Sequence, residues 1–485
     1  MVHARDGQMR PGAAPPAPHG WQAEQEPGPL TENDARAHIH GICFKTGPPE
    51  RVGVELEWLV RDARAPALPV GPARLTAALA GLDGPGALPA KGCLTTEPGG
   101  QLELSSLPAA SIGECVADAA RDMAAVTEAM QAAGLRLSGH GLDPFRPPLR
   151  VLDSPRYAAM EEFFDRSGPA GRIMMCSTAS VQVCLDAGED GTGEQSYRRR
   201  WHLLHTIGPV LVAAFANSPL RQGRPTGWRS TRQAVWARLD RGRIMAAQET
   251  RRPDVGTDIR SQWAEYALDA ELMCIRRDGM GSWVAPPGLT FRDWVLAANR
   301  EMISSGRFAG VGTPRAWDIH WAQGPPGDGT SGDTGPRGGT SADGVFYDRR
   351  PTRDDLNYHL STLFPPVRPR GHLELRMIDA QPGDGWVVPT AVSWALLSDP
   401  SASDAALAAA EPLWAGRGDP WLRAARYGPG DERIARAVRV CFEAADAALR
   451  RSGAPASLLG VVTDFAERYA HRGRCPADDL LEEST

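Results

Sequence analysis

The chain has 485 residues, 42% of them hydrophobic, and a formal net charge of -6. That apolar content is enough to bury a core, and the charge argues against a protein that binds nucleic acid by bulk attraction. No apolar run approaches the roughly 18 residues of a membrane-spanning helix, and Met1–Gly20 lacks the apolar stretch of a signal peptide. A cytoplasmic protein with neither a membrane nor a nucleic-acid partner is expected.

Lys45 and Lys91 are the only lysines, and neither stands in G-x-x-x-x-G-K-[ST], so a P-loop is excluded and any nucleotide must be held differently. The eight cysteines are dispersed without a C-x-x-C pair. Reduced, mostly buried thiols are expected, not a structural zinc site or a disulfide scaffold.

In chain order, residues 1–28 are rich in Pro, Gly and Ala and read as a disordered tail. Val52–Val60 alternates Val52, Val54, Leu56, Trp58 and Val60 against Gly53, Glu55, Glu57 and Leu59, the pattern of a half-buried strand. Gly99–Leu107 alternates as well. Ser111-x-x-Glu114 opens a helix as a capping box, and that helix stops at Gly134. In Gly139-His140-Gly141 the glycines let main chain approach a ligand, which makes His140 a candidate site residue.

Ser177–Leu185 is read as a strand showing Thr178, Ser180, Gln182 and Cys184 on one face. His202 and His205, three apart on a helix, read as structural. Residues 323–345 are low-complexity and read as a disordered insertion. His372–Ile378 is a further strand, with His372, Glu374 and Arg376 on its polar face. An amphipathic helix through Ile434, Val438, Cys441, Ala445 and Leu449 ends before Gly453. Strands separated by helices, without regular βαβ spacing, predict an α+β fold in which helices cover an antiparallel sheet.

The chemistry lies in acids placed on strands. Glu55 and Glu57 leave one face of a strand together; Gln101 and Glu103 repeat the geometry, and so do Glu374 and Arg376. Like charges side by side repel unless something neutralises them. A face of carboxylates from several strands is what a hard divalent cation such as Mg²⁺ requires, bridging protein to phosphates. Glu97, in Glu97-Pro98-Gly99-Gly100, flanks this set. Arg376 suits a transferring phosphoryl group or serves as counter-charge to Glu374. Arg229 and Arg232, with Trp228 and Trp236, suit a small carboxylate or form an arginine–tryptophan stack. His359 either orients a phosphate or caps a turn.

Six segments, VGVELEWL (52–59), TEPGGQLEL (96–104), TASVQVCL (178–185), FANSPL (215–220), WRSTRQAVW (228–236) and HLELR (372–376), occur in an order that resembles the glutamate–cysteine ligases of plant and bacterial type. The resemblance is closest to the actinobacterial branch associated with ergothioneine synthesis and runs from about residue 30 to about 400. It implies a glutamine-synthetase-like antiparallel funnel with helices outside, and one catalytic domain over 29–485.

It also implies ATP-dependent joining of the L-glutamate γ-carboxylate to the L-cysteine amine through a γ-glutamyl phosphate, with ATP and Mg²⁺ as cofactors. Carried over by position, Glu55, Glu57, Glu97, Glu103 and Glu374 match metal-binding acids. Arg376 and Arg232 match catalytic arginines, and Gln101, Thr178, Gln182, Arg232 and His359 match the substrate side. Leu56 departs from the histidine that plant-type members commonly carry between the two acids. A ligase of the same fold with a different amine stays open beside this reading. So do a carboxylate-pair hydrolase and a non-catalytic scaffold.

Overall fold

The alternation in the sequence becomes one broad sheet. The computed structural model describes residues 30–82, 84–244, 258–277, 281–299, 349–415 and 418–484; the expected tail and the 323–345 insertion lie outside these. The strands are β1 (Val52–Asp62), β2 (Cys93–Thr96), β3 (Leu102–Ser105), β4 (Leu135–Ser138), β5 (Ser180–Asp186), β6 (Leu220–Arg221), β7 (Arg224–Pro225), β8 (Val367–Pro369) and β9 (His372–Asp379). Seven of them share a sheet in the order β2-β3-β1-β5-β9-β8, with β4 also pairing to β1. Every pairing is antiparallel, and β6–β7 is a separate small hairpin.

Period-two alternation sends Val52, Val54, Leu56 and Trp58 of β1 to one face. Leu102 and Leu104, Val181 and Val183, and Leu373 and Leu375 go with them, and all are buried. Burial of each such side chain stabilises the fold by about 1.5–3 kcal/mol relative to exposure. Helices cover this face: Ile112–Ala132 packs on β1 and β4, Tyr197–Ala214 on β9, and Val387–Ser398 on β5. The helices Pro400–Ala410, Glu432–Arg451 and Ala456–Arg468 build outward from there. The architecture is α+β, an antiparallel sheet covered by helices, as the sequence predicts.

Local signals hold with two adjustments. Ser111 caps Ile112–Ala132 by accepting from the Glu114 N–H, but the Glu114 carboxylate takes the N–H of Ala110, at 3.2 Å, instead of that of Ser111. The strand read over Ser177–Leu185 begins only at Ser180, because helix Ala170–Ser177 runs up to it. The cysteines of the described residues are free, and five of the eight are buried.

Candidate active site

The opposite face of the sheet carries the acids. Register places Glu57 directly across from Glu103 and Glu55 across from Ser105. On the other side of β1, Glu55 stands opposite Gln182. Cys184 of β5 faces Glu374 of β9, and Arg368 of β8 faces Glu374 from the far side. One polar surface therefore runs across β3, β1, β5, β9 and β8. Glu97 joins it from the turn between β2 and β3, where its N–H donates to Gln101 O and its carbonyl accepts from Gly100 N–H, both at 2.8 Å. Gly100 has φ of +83° there, and a Cβ on Gly99 would fall 2.2 Å from Cys176 O. Only glycine allows this turn and its close approach.

Crowded carboxylates on a partly desolvated face resist ionisation. Burial, then Glu374 and Glu103, push the Glu55 carboxyl up to about 8. Burial, then Glu97 and Glu57, do the same to Glu103, also to about 8. Burial and Glu57 raise Glu97 to about 7. Glu374 behaves oppositely. Burial would raise it, but Arg368, Arg376 and Arg370 override burial and hold it well below the carboxylate range. Arg368 grips it with both ends of its fork, Nε to Oε2 at 2.9 Å and Nη2 to Oε1 at 2.8 Å. Arg376 also bonds Glu374 and Gln182. Gln182 in turn donates to Glu57 Oε1 at 2.7 Å.

Arg232 lies at the end of this face. Its Nη2 donates to Arg376 O at 2.7 Å, its guanidinium stacks over Trp236 at 4.6 Å, and it is 1% exposed. Asp379 fixes the segments around it, accepting from Asn217 N–H, Ser218 Oγ and Ser230 Oγ at 2.7–3.0 Å. Ser218 Oγ then takes the Arg232 N–H at 3.1 Å.

Residues 51–485 match the model of glutamate-cysteine ligase family 2. The chain is 35% identical over 458 residues to glutamate–cysteine ligase EgtA of Mycobacterium tuberculosis, covering 93% of this chain and 90% of that one. With EgtA of Mycolicibacterium smegmatis it shares 36% over 451 residues, covering 92% and 90%. It belongs to glutamate–cysteine ligase family 2.

A chloroplastic glutamate–cysteine ligase A of Oryza sativa is more distant, at 26% identity over 78% of this chain and 68% of that one. Among solved structures, a glutamate–cysteine ligase of Francisella tularensis in complex with AMP is 12% identical, with a TM-score of 0.45, covering 90% of this chain and 85% of that chain.

The ligase draws together Glu55, Glu57, Glu97, Glu103, Gln182, Glu374 and Arg376, with Arg232 at their border. Four other predicted residues are engaged elsewhere. Gln101 spends its amide on main chain, donating to Met175 O and Thr178 O at 3.1 and 3.0 Å and accepting from Gly99 N–H at 2.9 Å. The Thr178 hydroxyl caps the preceding helix at Met174 O, 2.7 Å away. His359 is packed between helices, its Nε2 2.8 Å from Ala267 O and its ring stacked on Phe291. Arg229 pairs with Asp478 at 2.7 Å and ties down the C-terminal helix Pro476–Glu483.

Sequence reasoning missed Arg368 and Asp379. The turn residues Arg370-Gly371 were the available signal for Arg368, since a hairpin centred there sets position 368 opposite 374.

Proposed function

We propose that this ligase joins the γ-carboxylate of L-glutamate to the amine of L-cysteine at the expense of ATP, through γ-glutamyl phosphate. We further propose that the γ-glutamylcysteine formed serves ergothioneine assembly in the cytoplasm. The observation that carries the reading is the acid face itself. Glu55, Glu97 and Glu103 are kept close to neutral pH in their titration by burial and one another, so the face stores a demand for positive charge. The likeness to the EgtA ligases over more than nine-tenths of the chain supports the substrates and the destination. Eight free cysteines suit a reducing compartment.

The donor set fits Mg²⁺ in chemistry, since it is oxygen-only and anionic. Among the described residues no three such groups converge into a closed cage, and Mg²⁺ commonly takes only one or two carboxylates beside water and substrate phosphates. Glu55, Glu57, Glu97 and Glu103 would hold it, whereas Glu374, expected among the metal-binding acids, is fully buried with its carboxylate already paired to Arg368 and Arg376. The ion would neutralise phosphate oxygens and orient the chain of phosphates.

The protein's own residues supply the rest. Arg376 is held at Glu374 and Gln182, and its buried Nε has no hydrogen-bond partner among the described residues, so it has an N–H left for a transferring phosphoryl oxygen. Burial alone would weaken its charge, but Glu374, Glu57 and Glu55 keep it cationic. The γ-carboxylate oxygen attacks the γ-phosphorus as ADP leaves. The amine then displaces phosphate from the acyl carbon, losing its proton as the amide forms.

The test is ADP release by the purified chain with MgATP and L-glutamate, against a panel of amines, with product masses read in parallel. ADP that depends on L-cysteine supports the reading. ADP that depends only on another amine replaces the acceptor, and no turnover with any amine overturns the ligase reading.

A further inference from the structure

The acid face does not end at Glu57. Continuing along β1 on the same side, Leu59 packs against Ala179 and Ala380. Arg61 comes next, roughly 13 Å along the strand from Glu57 at about 3.3 Å per residue. Arg61 is 8% exposed, and its Nε and Nη2 have no hydrogen-bond partner among the described residues. Asp143 Oδ1 lies 3.7 Å from Nη2, too far for a hydrogen bond. A buried guanidinium that finds no acceptor is costly, and such groups normally have a partner.

Asp143 is already taken. Its Oδ1 accepts from the N–H groups of Phe145 and Arg146 at 2.9 and 3.0 Å, and its Oδ2 from Arg146 Nε at 2.6 Å. Two guanidiniums thus share one carboxylate, which leaves a net positive charge in a largely desolvated place. His140 faces the same spot, with Nδ1 2.7 Å from Ser138 Oγ. Burial, then Arg61, push its pKa down to about 4, so it adds no charge at neutral pH.

The Phe145 ring, 50% exposed, lies 5.0 Å from the Arg61 guanidinium and shields one side of it. The loop carrying His140 and Asp143 is seated tightly. A Cβ on Gly141 would come 2.5 Å from Asp379 Cγ, and Gly141 O accepts from Ala179 N–H at 3.1 Å.

We infer that Arg61, with Arg146 beside it, is a subsite for the α-carboxylate of an amino-acid substrate. It rests on the ligase reading, in which both joined amino acids carry an α-carboxylate that takes no part in bond formation. The planar fork of arginine matches a carboxylate bidentately, and the single surplus charge matches a monoanion better than a phosphate dianion. Phe145 keeps water from the pair on its side, which strengthens it.

The experiment compares each substrate with its decarboxylated counterpart, L-cysteine with cysteamine and L-glutamate with 4-aminobutanoate, in the wild type and in Arg61→Gln. The wild type should favour the carboxylated member of at least one pair. Arg61→Gln should raise KM for that amino acid about 10- to 100-fold, with KM for ATP moving less than about twofold. Preference within the same pair should collapse, and the pair that collapses identifies which substrate is read.

Unchanged preference in both pairs overturns the subsite, and so does a fall in kcat alone. Arg61→Lys keeps the charge without the fork, and serves if Arg61→Gln does not fold. Partial loss of the same preference in Arg61→Lys supports the subsite, and full retention overturns it. Calorimetric titration of L-glutamate, 4-aminobutanoate, L-cysteine and cysteamine into both proteins separates this from failure of the ligase reading. A wild type without turnover overturns that reading alone, whereas equal binding by wild type and Arg61→Gln overturns the subsite.

Discussion

The Gln182 amide donates to Glu57 Oε1 at 2.7 Å while its carbonyl oxygen accepts from Arg376 Nη1. A neutral side chain thus couples an acid of the sheet face to Arg376, at the one position of β5 where the pairing with β9 slips by a bulge. Gln182→Leu, which keeps the shape and removes both bonds, should lower kcat about 10- to 100-fold, as loss of an orienting partner does elsewhere. Steady-state kinetics beside a circular-dichroism melt would check it. A kcat within about twofold of wild type would contradict the coupling.

Glu55→Gln separates stability from activity. The native carboxyl sits among Glu374 and Glu103 with its pKa pushed up to about 8, so at pH 8 its charge is a strain on the folded chain. The amide removes that charge and should raise Tm without ligands while ADP formation falls below detection. Stabilised, inactive protein is the expected pairing for a strained functional site. Full activity in the variant would remove Glu55 from the metal-holding set.

The same shifts set a pH dependence. A carboxyl whose folded pKa is raised gives stability that is complete below its ordinary value of 4.5 and is lost as the pH climbs through its folded value near 8. The ligand-free protein should therefore lose Tm between about pH 5 and pH 9. Mg²⁺ with nucleotide should recover more of it at pH 8 than at pH 6, because protons compete for the same oxygens. Thermal melts across that range, with and without MgATP, check both halves.

Arg368 is the structural counterpart of Glu374. The pair is 8% and 0% exposed at the side chains. Removing the cation from such a pair strands a buried carboxylate, and Arg368→Met should cost about 3 kcal/mol of unfolding free energy, with Arg376 compensating in part. Urea titration of the apo protein reads this directly.

What was legible in the sequence follows from what period-two alternation can carry. Glu55 with Glu57, and Glu374 with Arg376, are spaced two apart on strands, and Glu103 alternates with Leu102 and Leu104, so the side each takes of its own strand could be read before any pairing was known. Pairing itself could not. That Glu57 faces Glu103, and that Arg368 faces Glu374, depends on register set by turns and by the whole apolar face. Pro365, Pro366 and Pro369 disfavour an interior strand around Arg368, yet β8 is an edge strand, where proline is tolerated. Thr178 carries extended backbone as the strand pattern implies, but its hydroxyl closes the preceding helix Ala170–Ser177 by donating to Met174 O, a local bond that alternation does not reveal. Asp379 was hidden because its role is to bind segments about 150 residues away in sequence.

The central claim is that the acid face brings ATP to glutamate for attack by cysteine. It is tested most directly by mass spectrometry of the reaction of the purified chain with MgATP, L-glutamate and L-cysteine, with ADP counted against product. γ-Glutamylcysteine and ADP are expected in equal amounts, absent when any one substrate is left out and absent in Glu55→Gln. Equal yields from wild type and Glu55→Gln, or no product from folded wild-type protein, would contradict it.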